Sequence, residues 1–467
     1  MKFKQIAKNI TYSFSANIIS LGISVFMVMV VPKFLSVNDY GLWQLFLFYF
    51  SYLGFFHFGW EDGIYLRYAG KNFDDLDRKL FAGQFYGIIA LQIFLAVIVT
   101  LLGKSMVIDT TKQIALICAV WLAPFVNFNN LCNFIMQITN RIKDYAKFLL
   151  LERIVFLCVV VLFLFILHQN EFQYMYYANV VSVITAALVG SYLCRSLLHL
   201  NFDPIHRIVL EAKENLIVGS QLMFANIASM LIVGCIRYGI SIGWDVVTFG
   251  KVSLTLGISN FLLIFINSVS VVFFPLIKRM DEVQRVSAYM KIRNVLTFLL
   301  FAALLGYYPL KCMLSWWLPK YADSLIYMSV LFPICVFESK VSLLINTYLK
   351  SMRQETLMLK INVCSVLVSL VVTFLAVAIF HNLDLTVFFI VVVYAFRCVL
   401  AEYITGRLLG LHLVRNILID LMMCMLFITT GWLFDNWFCM VFYGLAYFAL
   451  LIVKKADLHQ LVLLFIK

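Results

Sequence analysis

Charge is what this chain has least of: Asp, Glu, Lys and Arg make up 13% of its 467 residues, against 63% hydrophobic residues and a mean hydropathy of +0.96. Water is therefore excluded as the solvent for most of the surface. No polar stretch is long enough to fold as a soluble domain, the largest lying around 61–79, 195–213 and 277–292. Enzymes built on a large cytosolic or external catalytic domain are excluded with it. The 11 cysteines contain no C-x-x-C pair and read as small core hydrophobes, and the 7 histidines show no metal-ligand spacing. A phosphate-cradling Gly-Lys-Ser/Thr loop and a nucleophile-base-orienter constellation are also missing. The expectation is a protein without catalytic residues, cofactor or metal.

What is present is a series of apolar runs. Fourteen are long enough to cross a bilayer as helices, near 10–32, 41–60, 80–103, 113–138, 148–167, 172–194, 214–240, 248–276, 293–310, 321–348, 358–380, 385–405, 417–434 and 437–453. The basic start and first run resemble a secretory signal, but the run is long and passes through Pro32 into a polar turn without a small-residue cleavage site. It reads as a retained span. With the N-terminus inside, cytoplasmic segments hold 26 of the 36 Lys and Arg residues, Arg293 counted among them, and external loops hold five. That asymmetry orients a multi-pass protein with both termini cytoplasmic. It also accounts for the net charge of +12 without a nucleic-acid partner.

The chain repeats itself. Ala16-Asn17-Ile18-Ile19-Ser20 returns as Ala225-Asn226-Ile227-Ala228-Ser229, Tyr40-Gly41 as Phe249-Gly250, and Leu122-x-Pro124-x-x-x-Phe128 as Leu331-x-Pro333-x-x-x-Phe337, always 209 residues on. Three echoes at one offset indicate an internal duplication of six spans. Because six is even, both copies enter the membrane in the same direction, which makes the repeat parallel. The expected fold is all-α: about 14 transmembrane helices, with a six-helix lobe over 1–205, a second over 206–413 and accessory helices over 414–467. Pro124 and Pro333 should kink the fourth helix of each lobe, serving either movement or static packing. The G-x-x-x-G pairs Gly83/Gly87, Gly239/Gly243 and Gly406/Gly410 read as close helix contacts.

Polar side chains inside spans mark interior faces, since lipid exposure is costly. Asn129, Asn133, Gln137 and Arg141 recur every four residues, and Glu338, Ser342, Asn346 and Lys350 answer them 209 residues later. Interhelical hydrogen bonding and a substrate-facing wall both explain such ridges. The first spans of the lobes add Asn17 on one side and Asn226 with Ser229 on the other. Arg237 follows Asn226 by three helical turns on nearly the same face, and Lys251 lies near the outer end of the next span with Asp245 between them as a counter-charge. Arg237 and Lys251 serve an anionic ligand or snorkel to the interface. Arg397 has Glu402 and Asp420 as expected partners in a structural ion pair. Glu61, Asp62 and Arg67, at the cytoplasmic end of the second span, are candidates for a gate or an ion-coupling site; a solvated helix end is the plainer alternative.

Pro32-Lys33-Phe34-Leu35-Ser36-Val37-Asn38-Asp39-Tyr40-Gly41-Leu42-Trp43 resembles a segment of bacterial polysaccharide transporters, the O-antigen and capsule repeat-unit flippases. The Asp62-Gly63…Arg67…Gly70 run and Phe274-Pro275-Leu276-Ile277-Lys278-Arg279 are similar to further marks of that group. That family sits in a superfamily with multidrug-extrusion antiporters and lipid II flippases. The resemblance implies two six-helix lobes around a V-shaped cavity that opens to either side in turn, in a bacterial plasma membrane. It implies an undecaprenyl-pyrophosphate-linked oligosaccharide as substrate, moved from inner to outer leaflet for surface polysaccharide synthesis, with membrane lipid, a polymerase and glycosyltransferases as partners. Substrate contacts are then expected from Asn17, Asn129, Asn133, Gln137, Asn226, Arg237, Lys251, Glu338, Ser342 and Asn346. Lipid II flippases place a cation in the first span, where this chain offers Ser13 and Asn17, which counts against a peptidoglycan precursor. The alternatives are a cation-coupled drug or small-molecule antiporter and, from another class, a membrane-embedded glycan polymerase or acyltransferase.

Overall fold

The computed structural model describes residues 19–107, 109–260, 263, 282–434 and 437–453. Their regular structure is all helical, with no strand among them. Apolar sequence dictates this, because a helix satisfies every backbone amide within its own segment and needs no water to do so. In chain order the helices are α1 (Ile19–Phe34), α2 (Val37–Tyr52), α3 (Trp60–Tyr68), α4 (Arg78–Met106), α5 (Thr110–Val120), α6 (Ala123–Ile138), α7 (Ile142–Val161), α8 (Phe172–Leu193) and α9 (Ile205–Gly243). They continue with α10 (Val246–Ser259), α11 (Glu282–Leu305), α12 (Tyr307–Trp317), α13 (Tyr327–Leu331), α14 (Ile334–Ser339), α15 (Asn346–Ser351), α16 (Glu355–Phe374), α17 (Leu383–Leu408), α18 (Val414–Leu433) and α19 (Trp437–Val453). Among the described residues nine helical stretches are long and apolar enough to span a membrane, and ten if Pro319–Leu331 and Ile334–Ser351, bent by 45°, form one broken span.

The chain divides into two compact units, Met1–Ile227 and Ala228–Lys467. The division falls inside α9, whereas the expected second lobe begins at residue 206, at the start of that helix. With 39 residues and a rise of about 1.5 Å each, α9 is about 58 Å long, close to twice the hydrocarbon thickness of a bilayer.

Each unit repeats the same local landmarks. Ser36 caps α2 by accepting from the Asp39 amide, and Asp245, 209 residues on, caps α10 by accepting from the Thr248 amide. Gly41 and Gly250 follow at matching places in those helices. Asn140 (φ 57°) and Arg353 (φ 56°) both end a helix in the left-handed region, as do His168 (φ 52°) and His381 (φ 43°). The π-helical turns Leu162–Ile166 and Leu375–Ile379 precede the two histidines. These later pairs are 213 residues apart, so the constant offset of 209 stops at Pro333. The second unit holds four extra residues, about one helical turn, between Pro333 and Arg353, and the π-helical stretch Lys340–Ile345 lies among them. In the register of the turns Arg141 answers Gln354, and Gln137 answers Lys350. The two polar ridges are therefore out of step by one turn at their cytoplasmic ends.

The prolines also act differently. At Pro333 the chain bends, while Thr110–Ile138 runs on as one helical stretch, Trp121 and Leu122 forming a tight turn before Pro124. Of the glycine pairs, Gly83, Gly87, Gly239, Gly243 and Gly406 meet side chains of neighbouring segments, but Gly410 (φ +69°) has nothing within 4 Å and serves a turn.

Candidate functional site

In the first unit the charged residues of α3 meet the start of α9. The helices approach through glycine: a Cβ on Gly63 would lie 1.9 Å from the Asn215 carbonyl oxygen, and one on Gly219 would lie 1.9 Å from that of Gly59. Gly59 takes φ 91°, which starts α3 at this crossing. One turn further on, Arg67 pairs with Glu211 through Nη1, which also donates to Asn215 Oδ1 at 2.6 Å, while Nη2 lies 2.5 Å from Glu214. Tyr68 donates its hydroxyl to Glu211 at 2.8 Å. Gln84 of α4 completes the seam, accepting from the Trp60 indole at 2.6 Å and donating to the Ile208 carbonyl at 3.1 Å. Arg67 is thus the hub of a clamp. At the other end of α3, Asp62 lies 3.8 Å from His57 Nε2, whose Nδ1 accepts from the Gly59 amide. Glu61 and Asp62 are both buried, at 0% and 6% exposure, so the solvated-helix-end reading of this segment is set aside.

The polar ridge of α6 is partly committed to helix contacts. Asn129 is buried and donates to the Val183 carbonyl of α8 at 3.1 Å; Asn133 and Gln137 are half-buried. Arg141 is engaged by Asp144 at 2.9 Å and by the Leu193 carbonyl at 3.1 Å, and stacks over Phe73. Asn17 and the 274–279 segment lie outside the described residues.

In the second unit two charge networks replace the pairing expected for Arg397. Arg397 meets Glu338 at 2.7 Å, Asn362 at 3.1 Å and Ser229 at 3.2 Å, joining α17, α14, α16 and α9. Glu402 and Asp420 serve other cations: Arg293 reaches both, and Lys340 Nζ lies 2.5 Å from Glu402 and 2.6 Å from Asp420. All four are at most 3% exposed. Arg293 therefore belongs to the interior and not to a cytoplasmic segment. Its place near the polar start of a span hides this in sequence; the signal available was the count of two buried acids, Glu402 and Asp420, that one Arg397 could not neutralise. Lys340 enters the network from the first residue of the π-helical stretch, two residues after Glu338 and so on the other side of the helix from the ridge. Ser342 and Asn346 are half-buried on that ridge.

Towards the end of α9, the half-buried Arg237 donates from Nη2 to Ser253 at 3.1 Å, with its guanidinium over the Phe249 ring at 5.3 Å. Asp245 is used as the α10 cap, and Lys251 lies 3.9 Å from Asp323. Asn226 is exposed. Arg237 and Lys251 thus sit on neighbouring helices, each with a polar partner in the same unit. No group of three or more His, Cys, Asp or Glu residues suited to a metal ion occurs among the described residues.

No protein-family model matches the sequence, and no curated protein matches it either. Solved structures do. The lipid II flippase MurJ in an inward closed conformation aligns with a TM-score of 0.68 at 11% identity, covering 96% of this chain and 99% of that one. A multidrug resistance MATE family transporter of the MOP superfamily, inward-facing, aligns with a TM-score of 0.64 at 13% identity over 84% and 97% of the two chains. A MATE protein in complex with MaD3S gives 0.56 at 13% identity over 86% and 95%. At such low identity the likeness concerns the fold: this is a multi-pass helical membrane protein with the architecture of MOP-superfamily transporters and flippases.

Proposed function

We propose that the protein is a non-enzymatic flippase that carries a polyprenyl-pyrophosphate-linked oligosaccharide from the inner to the outer leaflet of a bacterial plasma membrane. Glycosyltransferases would build that substrate and a polymerase would consume it. The observation that carries this reading is the placement of Arg237. An arginine within a membrane-spanning helix costs about 2.5–3.5 kcal/mol on insertion scales, and here its planar, permanently charged fork is held by a neutral hydroxyl and an aromatic face. A guanidinium steadied in this way is suited to bidentate, charge-assisted bonds with phosphate oxygens. Within the second unit, Ser342 and Asn346 present a half-buried hydroxyl and amide, groups of the kind that sugars require; Asn133 and Gln137 present half-buried amides in the first unit. The MurJ likeness supports a fold that can carry a lipid-linked substrate.

In a strain lacking its own copy, Arg237→Ala at normal expression should lose most surface glycan, and Arg237→Lys should retain part of it. Full restoration by the alanine variant would overturn the assignment.

A second reading, an antiporter of small molecules, is favoured by two observations: the MATE likeness and a fully buried acid, Glu61, in the first unit.

A further inference from the structure

The start of α9 is apolar on its outside although it lies beyond the hydrocarbon. Arg207, Glu211, Lys213 and Glu214 all precede Asn215, and no further Asp, Glu, Lys or Arg follows in this helix until Arg237. Hydrocarbon therefore takes the helix only beyond about Asn215. The turns before it lie at one face of the membrane, the cytoplasmic one in the orientation that the loop charges predict. Yet Ile205 is 79% exposed and Val209 57%, and Leu200 in the segment leading to them is 81% exposed. Large apolar side chains interleaved with cations at the depth of the headgroups are the pattern of a helix resting in a membrane interface.

A cavity of about 440 Å3 opens at this level, wholly within the first unit. Trp60 of α3, Gly87 of α4 and Ile205, Val209, Leu216 and Lys213 of α9 contribute to its walls. The missing side chain at Gly87 keeps the space beside the Trp60 ring open, since even a Cβ there would come within 3.0 Å of it. Ile205, Val209 and Lys213 are exposed, so the cavity opens to the outside of the unit. Next to it the turn Arg195–Leu197 packs on α4, and Phe202 meets Tyr86 edge-on at 5.2 Å.

The charges around the opening sort themselves. Arg67 takes Glu211 and Glu214, and Arg207 takes Asp77 and Asp203. Lys213, the one charged residue on the lining, makes no ion pair among the described residues. An apolar groove with a single uncommitted cation at its edge is complementary to a molecule with a hydrocarbon chain and an anionic head.

We propose that this groove is a phospholipid site, in which an acyl chain of an anionic phospholipid of the adjoining leaflet lies between α4 and α9 while Lys213 holds the phosphate. The lysine stem runs along the apolar wall and its ammonium reaches the headgroup level, as long cationic side chains do at interfaces. An anionic lipid suits the site better than a zwitterionic one, whose own cation competes for the phosphate. A seated chain also covers the apolar side of α9 that the protein leaves open. The site is independent of what the protein transports, and its test needs no transport.

Trp60 serves as the reporter, because brominated acyl chains quench an indole only at contact. The whole protein is placed in phosphatidylcholine vesicles containing a minor fraction of brominated phosphatidylglycerol or, in parallel, the same fraction of brominated phosphatidylcholine. In the wild type, brominated phosphatidylglycerol should quench more, and raising the salt should reduce the excess. Lys213→Gln should lower the preference about fivefold, the worth of one lysine near an anionic surface, and Lys213→Arg should keep it. Gly87→Leu should abolish the excess by filling the groove from within, and Val209→Trp should do so from its exposed rim without touching the α4 packing. Trp60→Phe should remove the excess signal. Equal quenching by the two lipids in the wild type overturns the proposal, as ordinary boundary lipid behaves in that way. An excess that survives Lys213→Gln, Val209→Trp or Trp60→Phe also overturns it, and so does displacement of brominated phosphatidylglycerol by undecaprenyl pyrophosphate, which would make the groove a seat for a polyprenyl tail.

Discussion

Asp420→Ala probes the buried charge tetrad of the second unit. The wild-type network balances two cations, Arg293 and Lys340, against two anions, Glu402 and Asp420, all within about hydrogen-bonding distance. Deleting Asp420 leaves an uncompensated positive charge among groups no more than 3% exposed. Breaking one partner of such a buried arrangement costs about 3–5 kcal/mol, whereas replacing a whole pair by apolar groups is often nearly neutral. For a unit of this size each kcal/mol corresponds to roughly 2–4 °C in Tm, so the alanine variant should melt about 6–20 °C lower. Lys340→Met in the same chain removes the surplus charge at similar volume and leaves Arg293 to Glu402. The double variant should recover at least half of the loss. Thermal unfolding in detergent, followed by size-exclusion chromatography of heated samples, reads both values. A shift below about 2 °C for Asp420→Ala, or a double variant as unstable as the sum of the singles, would refute the reasoning. The experiment also asks how α18 is attached, since Asp420 ties that helix, expected from sequence to be accessory, into the interior of the unit.

Gly63→Ala should disrupt the α3–α9 crossing, because its methyl group would meet the Asn215 carbonyl oxygen at 1.9 Å; reduced yield of monodisperse protein is the readout, and Gly70→Ala, with φ +90° but nothing within 4 Å, should cost only about 1 kcal/mol. Arg67→Ala and Glu211→Ala should each destabilise the first unit, with a coupling of about 1–3 kcal/mol in a double-mutant cycle; additive effects would show that the clamp contributes nothing beyond its separate parts.

Much of the fold was legible because hydropathy is a local property that sums along the chain. Apolar runs of span length can hide their amides only as helices, and the offset of 209 survives as the paired caps Ser36 and Asp245, while the paired left-handed turns at Asn140 and Arg353, and at His168 and His381, follow at 213. The partners of the charges were a different matter. Arg397, Glu402 and Asp420 look like one ion pair along the chain, yet helix rotation and depth decide which carboxylate meets which cation. Arg293 reads as a loop residue because its sequence neighbours are polar, and only packing reveals that it is interior. The clamp on Arg67 likewise depends on glycines that let α3 and α9 approach more closely than side chains would allow. By itself the sequence determined a duplicated, membrane-spanning helical protein, since burial of backbone and apolar surface is dictated residue by residue. Tertiary structure alone decided which polar groups are paired, which are exposed and which, like Glu61, are buried without a partner, since those outcomes turn on distances of a few ångströms between residues far apart in the chain.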